Sequence, residues 1–320
     1  MGEEKINLNM LSYQLVKDMI RNKEKLNLGL IKLKNGGTIL DTGVKARGGI
    51  RAGEILTEIS MGGLGSAKFG IANFEGYLLP SITVTTDHPA LSALGSQMGS
   101  FDLVPSSYGG IISGPARALA LSPRKLYEDL NHLEKSKIAV AIYQADELPN
   151  EEVVEFISEK CRVRTENIFV LATGLKSIAG AIQVLGRIIE DGLYQLYFTH
   201  SFDVARVKYV AGIVPLPPIS SEDSKWPKIS PDDMIAYCGK LFLYIEGEEE
   251  NLKKLAKMLP SASSENYGKL FNEIIEEAGY DFSRVDKKFF APAVVQITDL
   301  KTGKIYKGGK INTNFLKRFV

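Results

Sequence analysis

From about Leu119 onward the chain alternates short apolar runs with amphipathic stretches, and this alternation limits the possible folds more than any other feature. Ile138–Tyr143 reads as a buried strand, Asn150–Cys161 as an amphipathic helix, and Ile168–Ala172 as another strand. The spacing predicts a long helix from about Ser177 to Tyr194. Val207–Val214 is strand-like and runs into Pro215, Pro217 and Pro218, whose fixed φ and missing N–H demand a loop. Beyond the prolines, helices are expected near Pro231–Cys238, Asn251–Met258 and Asn266–Ala278, and a strand over Leu241–Glu246. The end reads as a hairpin: Val294–Asp299, a Lys301-Thr302-Gly303 turn, then Lys304–Lys307. Alternating elements of this kind define an α/β protein.

The first 120 residues have a different texture. Leu8, Leu11, Leu15 and Met19 mark one amphipathic helix, and Asn35-Gly36-Gly37 supplies a turn before a strand at Thr38–Asp41. From Gly43 to Gly114 glycine is dense, which suits either a surface that cradles a ligand or simple loop packing. The change of texture places a boundary near 120–135. We therefore expect an N-terminal glycine-rich α/β domain over 1–125 and a C-terminal α/β domain over 126–320, with segments free to cross over. No long linker separates them, so the two domains should pack tightly.

Composition removes several classes of function. Lys+Arg number 39 against Asp+Glu 38, for a net charge of +1, and the charges are dispersed, so nucleic acid is not an expected partner. Two cysteines, Cys161 and Cys238, form no C-x-x-C pair, and His88, His132 and His200 are scattered, so no metal site is expected. No apolar stretch approaches the ~18 residues that a membrane helix needs. The charged N-terminus has no apolar core of the secretory type, so the expectation is a soluble, cytoplasmic protein. Met61-Gly62-Gly63-Leu64-Gly65 lacks both the dinucleotide spacing and the Lys-Ser/Thr of a P-loop, so no nucleotide cofactor is expected.

Four segments carry possible chemistry. On the helix predicted to end at Tyr194, Gln183, Arg187, Glu190 and Tyr194 fall on one stripe, opposite Ile178, Ile182, Leu185 and Ile189. Arg187 and Glu190 are i, i+3 neighbours: in a cleft the guanidinium orients a proton-transferring carboxylate, and on the surface the two make an ordinary ion pair. Ser113-Gly114-Pro115-Ala116-Arg117 reads as a helix start that either caps itself or holds an anion. Ser261-Ala262-Ser263-Ser264 ahead of Tyr267-Gly268-Lys269 repeats that pattern. Thr86-Asp87-His88-Pro89 closes a β-type run, either as a ligand position at a strand end or as a structural turn.

Taken together, these segments resemble the methenyltetrahydromethanopterin cyclohydrolases. The matching stretches are Met61–Leu64, Thr86–Ala90, Leu94-Gly95-Ser96-Gln97, Ser113–Leu119, Gly186-Arg187-Ile188-Ile189-Glu190, Pro260-Ser261 with Tyr267-Gly268-Lys269, and Phe290-Ala291-Pro292-Ala293. They run in the family's order and cover nearly the whole chain. The resemblance implies reversible hydrolysis of a cationic methenyl bridge between two nitrogens of a reduced pterin, with neither metal nor nucleotide as cofactor. It also implies two α/β domains with a deep pocket between them, and a homotrimer. The family's G-R-x-x-E segment puts the catalytic pair on Arg187 and Glu190, with Arg187 orienting Glu190 and keeping it ionised. Asp87, His88, Ser96 and Gln97 would then meet the pterin, together with Ser113, Gly114, Arg117, Ser263 and Lys269.

Two departures keep other readings open. Where the family commonly continues Lys-Ala-Gly-Trp after Gly95-Ser96-Gln97, this chain has Met98-Gly99-Ser100-Phe101. Val210–Pro215 also lacks the Arg of the family's corresponding segment. The alternatives are a pterin-binding paralogue with altered catalysis, or a cyclohydrolase acting on a folate or another modified pterin.

Overall fold

The computed structural model describes residues 6–99, 102–105, 108–219 and 228–320. In chain order the strands are β1 (Gly29–Lys32), β2 (Thr38–Asp41), β3 (Gly65–Phe74), β4 (Tyr77–Thr86), β5 (Ile111–Ser113), β6 (Ala139–Gln144), β7 (Ile168–Thr173), β8 (Val207–Pro215), β9 (Lys240–Ile245), β10 (Val294–Asp299) and β11 (Ile305–Gly309). The α-helices are α1 (Leu8–Arg21), α2 (Ile50–Ser60), α3 (Ala116–Ala120), α4 (Arg124–Asp129), α5 (Glu151–Cys161), α6 (Ile178–Leu185), α7 (Ile188–Tyr194), α8 (Pro231–Cys238), α9 (Glu249–Met258), α10 (Phe271–Glu277) and α11 (Thr313–Leu316). The α/β class is as expected.

Two compact units divide the chain: Met1–Ser66 with Leu91–Gln183, and Ala67–Ala90 with Val184–Val320. This differs from the expected limit at 125/126. Strand pairing is the reason: β6 pairs with β7 and β7 with β2, so residues 126–183 stay with the N-terminal segment. Conversely β4 pairs with β8, which carries residues 67–90 into the other unit.

The first unit is a three-layer sandwich. Its sheet runs β1-β2-β7-β6-β5, with β2, β7 and β6 parallel and antiparallel strands at both edges. Alternation along the strands feeds two cores. Ile39, Ala139, Ala141 and Val170 meet Val153, Val154 and Ile157 of α5 on one face, while Leu40, Val140, Ile142 and Leu171 meet Val16, Leu56 and Ala179 of α1, α2 and α6 on the other. Near-continuous apolar strands follow from burial on both faces.

The second unit is built on a six-stranded sheet, β11-β10-β9-β8-β4-β3. Strands β3 and β4 join through Glu75 and Gly76, both at positive φ (52° and 94°), as a two-residue hairpin loop of the I′ kind requires. The second of these ten-residue strands contains the β-type run expected to end at Thr86. Helix α7 lies hard against the sheet: a Cβ on Gly192 would sit 2.2 Å from Leu241 Cδ2, and one on Gly212 2.5 Å from Ile188 Cγ2. Larger residues there would push α7 off the strands.

Two helix predictions need correction. The long helix over 177–194 is interrupted: Gly186, a weak helix former, and Arg187 form a turn in which the Arg187 N–H donates to Val184 O at 2.9 Å, and a new helix follows. The helix expected over 266–278 starts only at Phe271, after a run of turns that begins with the short helical turn Ser261–Ser263.

Candidate active site

Arg187 caps α7, and Glu190 lies in its first turn, where a negative side chain meets the positive end of the helix dipole. The guanidinium Nη1 is 3.4 Å from Glu190 Oε2, and the two side chains are only 12% and 11% exposed. This excludes the surface ion pair that spacing alone allows. The contact is longer than a strong charge-assisted hydrogen bond. Because the pair is i, i+3 within α7, the interruption at Gly186 leaves it intact. Gln183, expected on the same stripe, instead ends the first unit, its side-chain amide buried with no hydrogen-bond partner.

Further carboxyls surround Arg187. Asp191, four residues on, is 8% exposed, and burial first, then the charges of Glu190 and Asp232, push its carboxyl well above the usual range, against the pull of Arg187. Asp232, in the first turn of α8, is raised to about 7 by burial and by Asp233, opposed by Arg187. The Tyr194 phenol is raised by burial and by Glu190. Sequence reasoning missed Asp191 and Asp232. Asp191 carried a signal, since i, i+4 from Arg187 places it on the same side of the helix; Asp232 carried none, because it belongs to a different helix far along the chain.

The expected substrate contacts separate into two kinds. In the second unit Asp87, His88, Ser263 and Lys269 are exposed; Asp87 and His88 follow β4, and Lys269 pairs with Glu277 at 2.6 Å. In the first unit Ser96, Gln97 and Arg117 are fully buried. Ser96 Oγ donates to Ser60 O at 2.7 Å and Gln97 Nε2 to Ser60 Oγ at 3.1 Å. Arg117 donates to three carbonyls, Leu94 O at 3.0 Å, Ser96 O at 3.5 Å and Ser122 O at 2.6 Å. Its role is therefore corrected from holding an anion to bracing the π-helical segment Ala90–Gln97 against the cap of α3. Ser113 is buried at the end of β5, and Gly114, at φ 92°, donates its N–H to Ser96 O at 2.9 Å. Met98 is 7% exposed, an apolar core residue; Ser100 and Phe101 lie outside the described residues.

A cavity of about 420 Å³ in the first unit, lined in part by Lys25, Asn27, Arg47, Gly48 and Arg51, contains none of the predicted residues. Among the described residues no group of three or more His, Cys, Asp or Glu is arranged to hold a metal ion, and no helix is long and apolar enough to cross a membrane.

A buried carboxylate set against an arginine at a helix start, with further carboxyls around it, is the equipment of an acid–base enzyme that acts on a cationic substrate. Comparison with known proteins narrows that class. Residues 7–319 match the family described as Cyclohydrolase (MCH). The methenyltetrahydromethanopterin cyclohydrolase of Methanocaldococcus jannaschii is 40% identical over 316 residues, covering 98% of each chain. Those of Methanothermobacter marburgensis and Methanococcus aeolicus are 39% and 40% identical over the same length. The chain belongs to the cyclohydrolase (MCH) family.

Proposed function

We propose that the protein catalyses the reversible hydrolysis of methenyltetrahydromethanopterin to the formyl compound, with Glu190 as the acid–base group and Arg187 orienting it. The buried Arg187–Glu190 contact carries the reading. The bridge carbon of the amidinium-like substrate is already electrophilic, so the enzyme needs a positioned water and a proton acceptor. Glu190 takes a proton as water adds, giving a carbinolamine. It then protonates the departing nitrogen as the C–N bond breaks and the carbonyl forms, the carbinol hydroxyl giving up its proton as the net H⁺ of the reaction. The carboxylates also attract the cation before reaction, and that part of the binding does not speed chemistry.

For substrate contacts we retain the side chains that reach solvent: Asp87, His88, Ser263 and Lys269. Tetrahydromethanopterin is the substrate in this reading, and no separate cofactor enters it. A homotrimeric, cytoplasmic enzyme is also part of the proposal, supported by the family resemblance and testable by light scattering.

Following loss of the substrate's ultraviolet band tests the reading, with wild type, Glu190→Gln and the folate analogue side by side. Decay in wild type and a fall of about 10²–10⁴-fold in the variant is the expected result. An inert wild type refutes it.

A further inference from the structure

Strand β2 is one of the parallel strands of the first unit, and the loop after its carboxyl end leads directly into α2. Loops at that edge are where open α/β sheets hold ligands. Asp41 shapes this one: its carboxylate accepts the N–H groups of Gly43, Val44, Lys45 and Ala46 at 2.7–3.1 Å. Four donors occupy its charge within the loop. The far end of the loop is clasped to the segment after α1. There Gly48 N–H donates to Asn27 O at 3.0 Å, and Asn27 Nδ2 donates to Gly48 O at 3.3 Å. Residues 25–27 and 47–52, which form most of the lining of the cavity of about 420 Å³, are thereby tied together.

The lining is unbalanced in charge. Lys25, Arg47 and Arg51 contribute to it, and no carboxylate does. Arg51 has its counterion outside the lining, Glu54 Oε2 at 2.7 Å. The side chains of Lys25 and Arg47 have no hydrogen-bond or ion-pair partner among the described residues. Like charges gathered in this way repel, and a bound oxyanion removes the repulsion. Helix α2 adds donors to the same wall. Its N-cap, Gly49, brings no side-chain acceptor, and the first N–H with a backbone acceptor is that of Gly53, on Gly49 O at 3.0 Å. The N–H groups of Ile50, Arg51 and Ala52 therefore stay open to an anion. Leu26, Ile50 and Ile178 make the remaining lining apolar.

We propose that this cavity binds a small organic phosphate, its phosphate group at the start of α2 among Lys25, Arg47 and Arg51. The volume lies in the range of about 300–1,000 Å³ usual for small-molecule sites and exceeds what a bare phosphate fills. The organic body lies against Leu26, Ile50 and Ile178. Neither Arg187 nor Glu190 lines the cavity, so the site stands apart from the hydrolysis.

Calorimetric titration of the full chain with inorganic phosphate and with phenyl phosphate, at low ionic strength, tests the proposal. One site is expected, with phenyl phosphate bound more tightly than inorganic phosphate and both weakened as salt rises. Arg47→Gln should weaken both by about tenfold or more, through loss of a charge-assisted hydrogen bond. Gly49→Asp is the sharper variant. A Cβ on Gly49 meets nothing nearer than Asn27 Nδ2 at 4.0 Å, so the side chain fits, and its carboxylate caps α2 in the anion's place. Phosphate binding should vanish in that variant while the melting temperature holds or rises. No binding to wild type, or binding undiminished in the variants, overturns the site. Phenyl phosphate bound no more tightly than inorganic phosphate overturns the organic ligand. Should Gly49→Asp fail to fold, Arg47→Gln decides: its side chain is exposed and unpartnered, so undiminished binding refutes the site.

Discussion

Among the described residues Arg117 is buried and Arg187 nearly so, and the two are enclosed for opposite reasons. Arg117 is fully enclosed and donates from its guanidinium to three backbone carbonyls, which are neutral acceptors. Arg187 is slightly exposed, meets Glu190 at 3.4 Å and faces two further carboxyls. A cation whose terminal nitrogens all donate to carbonyls is a brace, because its partners fix one geometry and transfer no proton. A cation set among carboxyls of unequal proton affinity is part of a working site. Burial alone does not separate the two; the chemistry of the partners does.

Substitutions can break or sharpen this contrast. The largest stability effect is expected at the brace: Arg117→Met removes the guanidinium from three carbonyls, of which Ser96 O keeps the Gly114 N–H, and should cost about 2–4 kcal/mol, by the usual penalties for buried groups left unpaired, read as a large fall in melting temperature. A change within about 0.5 kcal/mol would mean that surface substitutions and this buried one are alike, against the contrast. Arg187→Lys keeps the charge but loses the planar fork; turnover should fall about tenfold or more while the melting temperature moves little. If it instead melts like the Arg117 variant, the two arginines are both braces.

pH gives a finer separation. Asp232 holds its proton more tightly folded than unfolded, so the unfolded chain binds fewer protons between the ordinary aspartate value, about 4, and about 7. Stability from this group is full below that window and declines as pH rises through it. Urea titrations across the window should show the decline in wild type and a flatter line in Asp232→Asn; equal slopes would remove Asp232 from the linkage. The smallest effect is expected at the exposed Lys269–Glu277 pair, where Lys269→Ala should change stability by less than about 1 kcal/mol in thermal melts.

What could be read in advance followed from range. Local signals served well: Asn150 caps α5, Ser230-Pro231 opens α8, and Arg187–Glu190 is an i, i+3 pair whose meeting needs only one helical turn. Long-range facts were hidden. Nothing local says that the β3–β4 hairpin pairs with β8 rather than with its neighbours in sequence, and that pairing is what carries residues 67–90 across to the second unit. Glycine density hid α2, β3 and the first half of β4, since it marks close approach as readily as loops. Ser96, Gln97 and Arg117 looked like ligand contacts because polar residues near a helix start suit both roles; only their carbonyl and hydroxyl partners reveal the interior one.

The central claim is that Glu190 moves protons in a site whose fold does not depend on it. Turnover and thermal melting of Glu190→Gln, measured on one preparation, test it most directly. The account predicts a kcat lower by about 10²–10⁴-fold with the melting temperature unchanged or raised, since one of three facing carboxyls loses its charge. Unchanged kcat, or a loss matched by collapse of the fold, would contradict it.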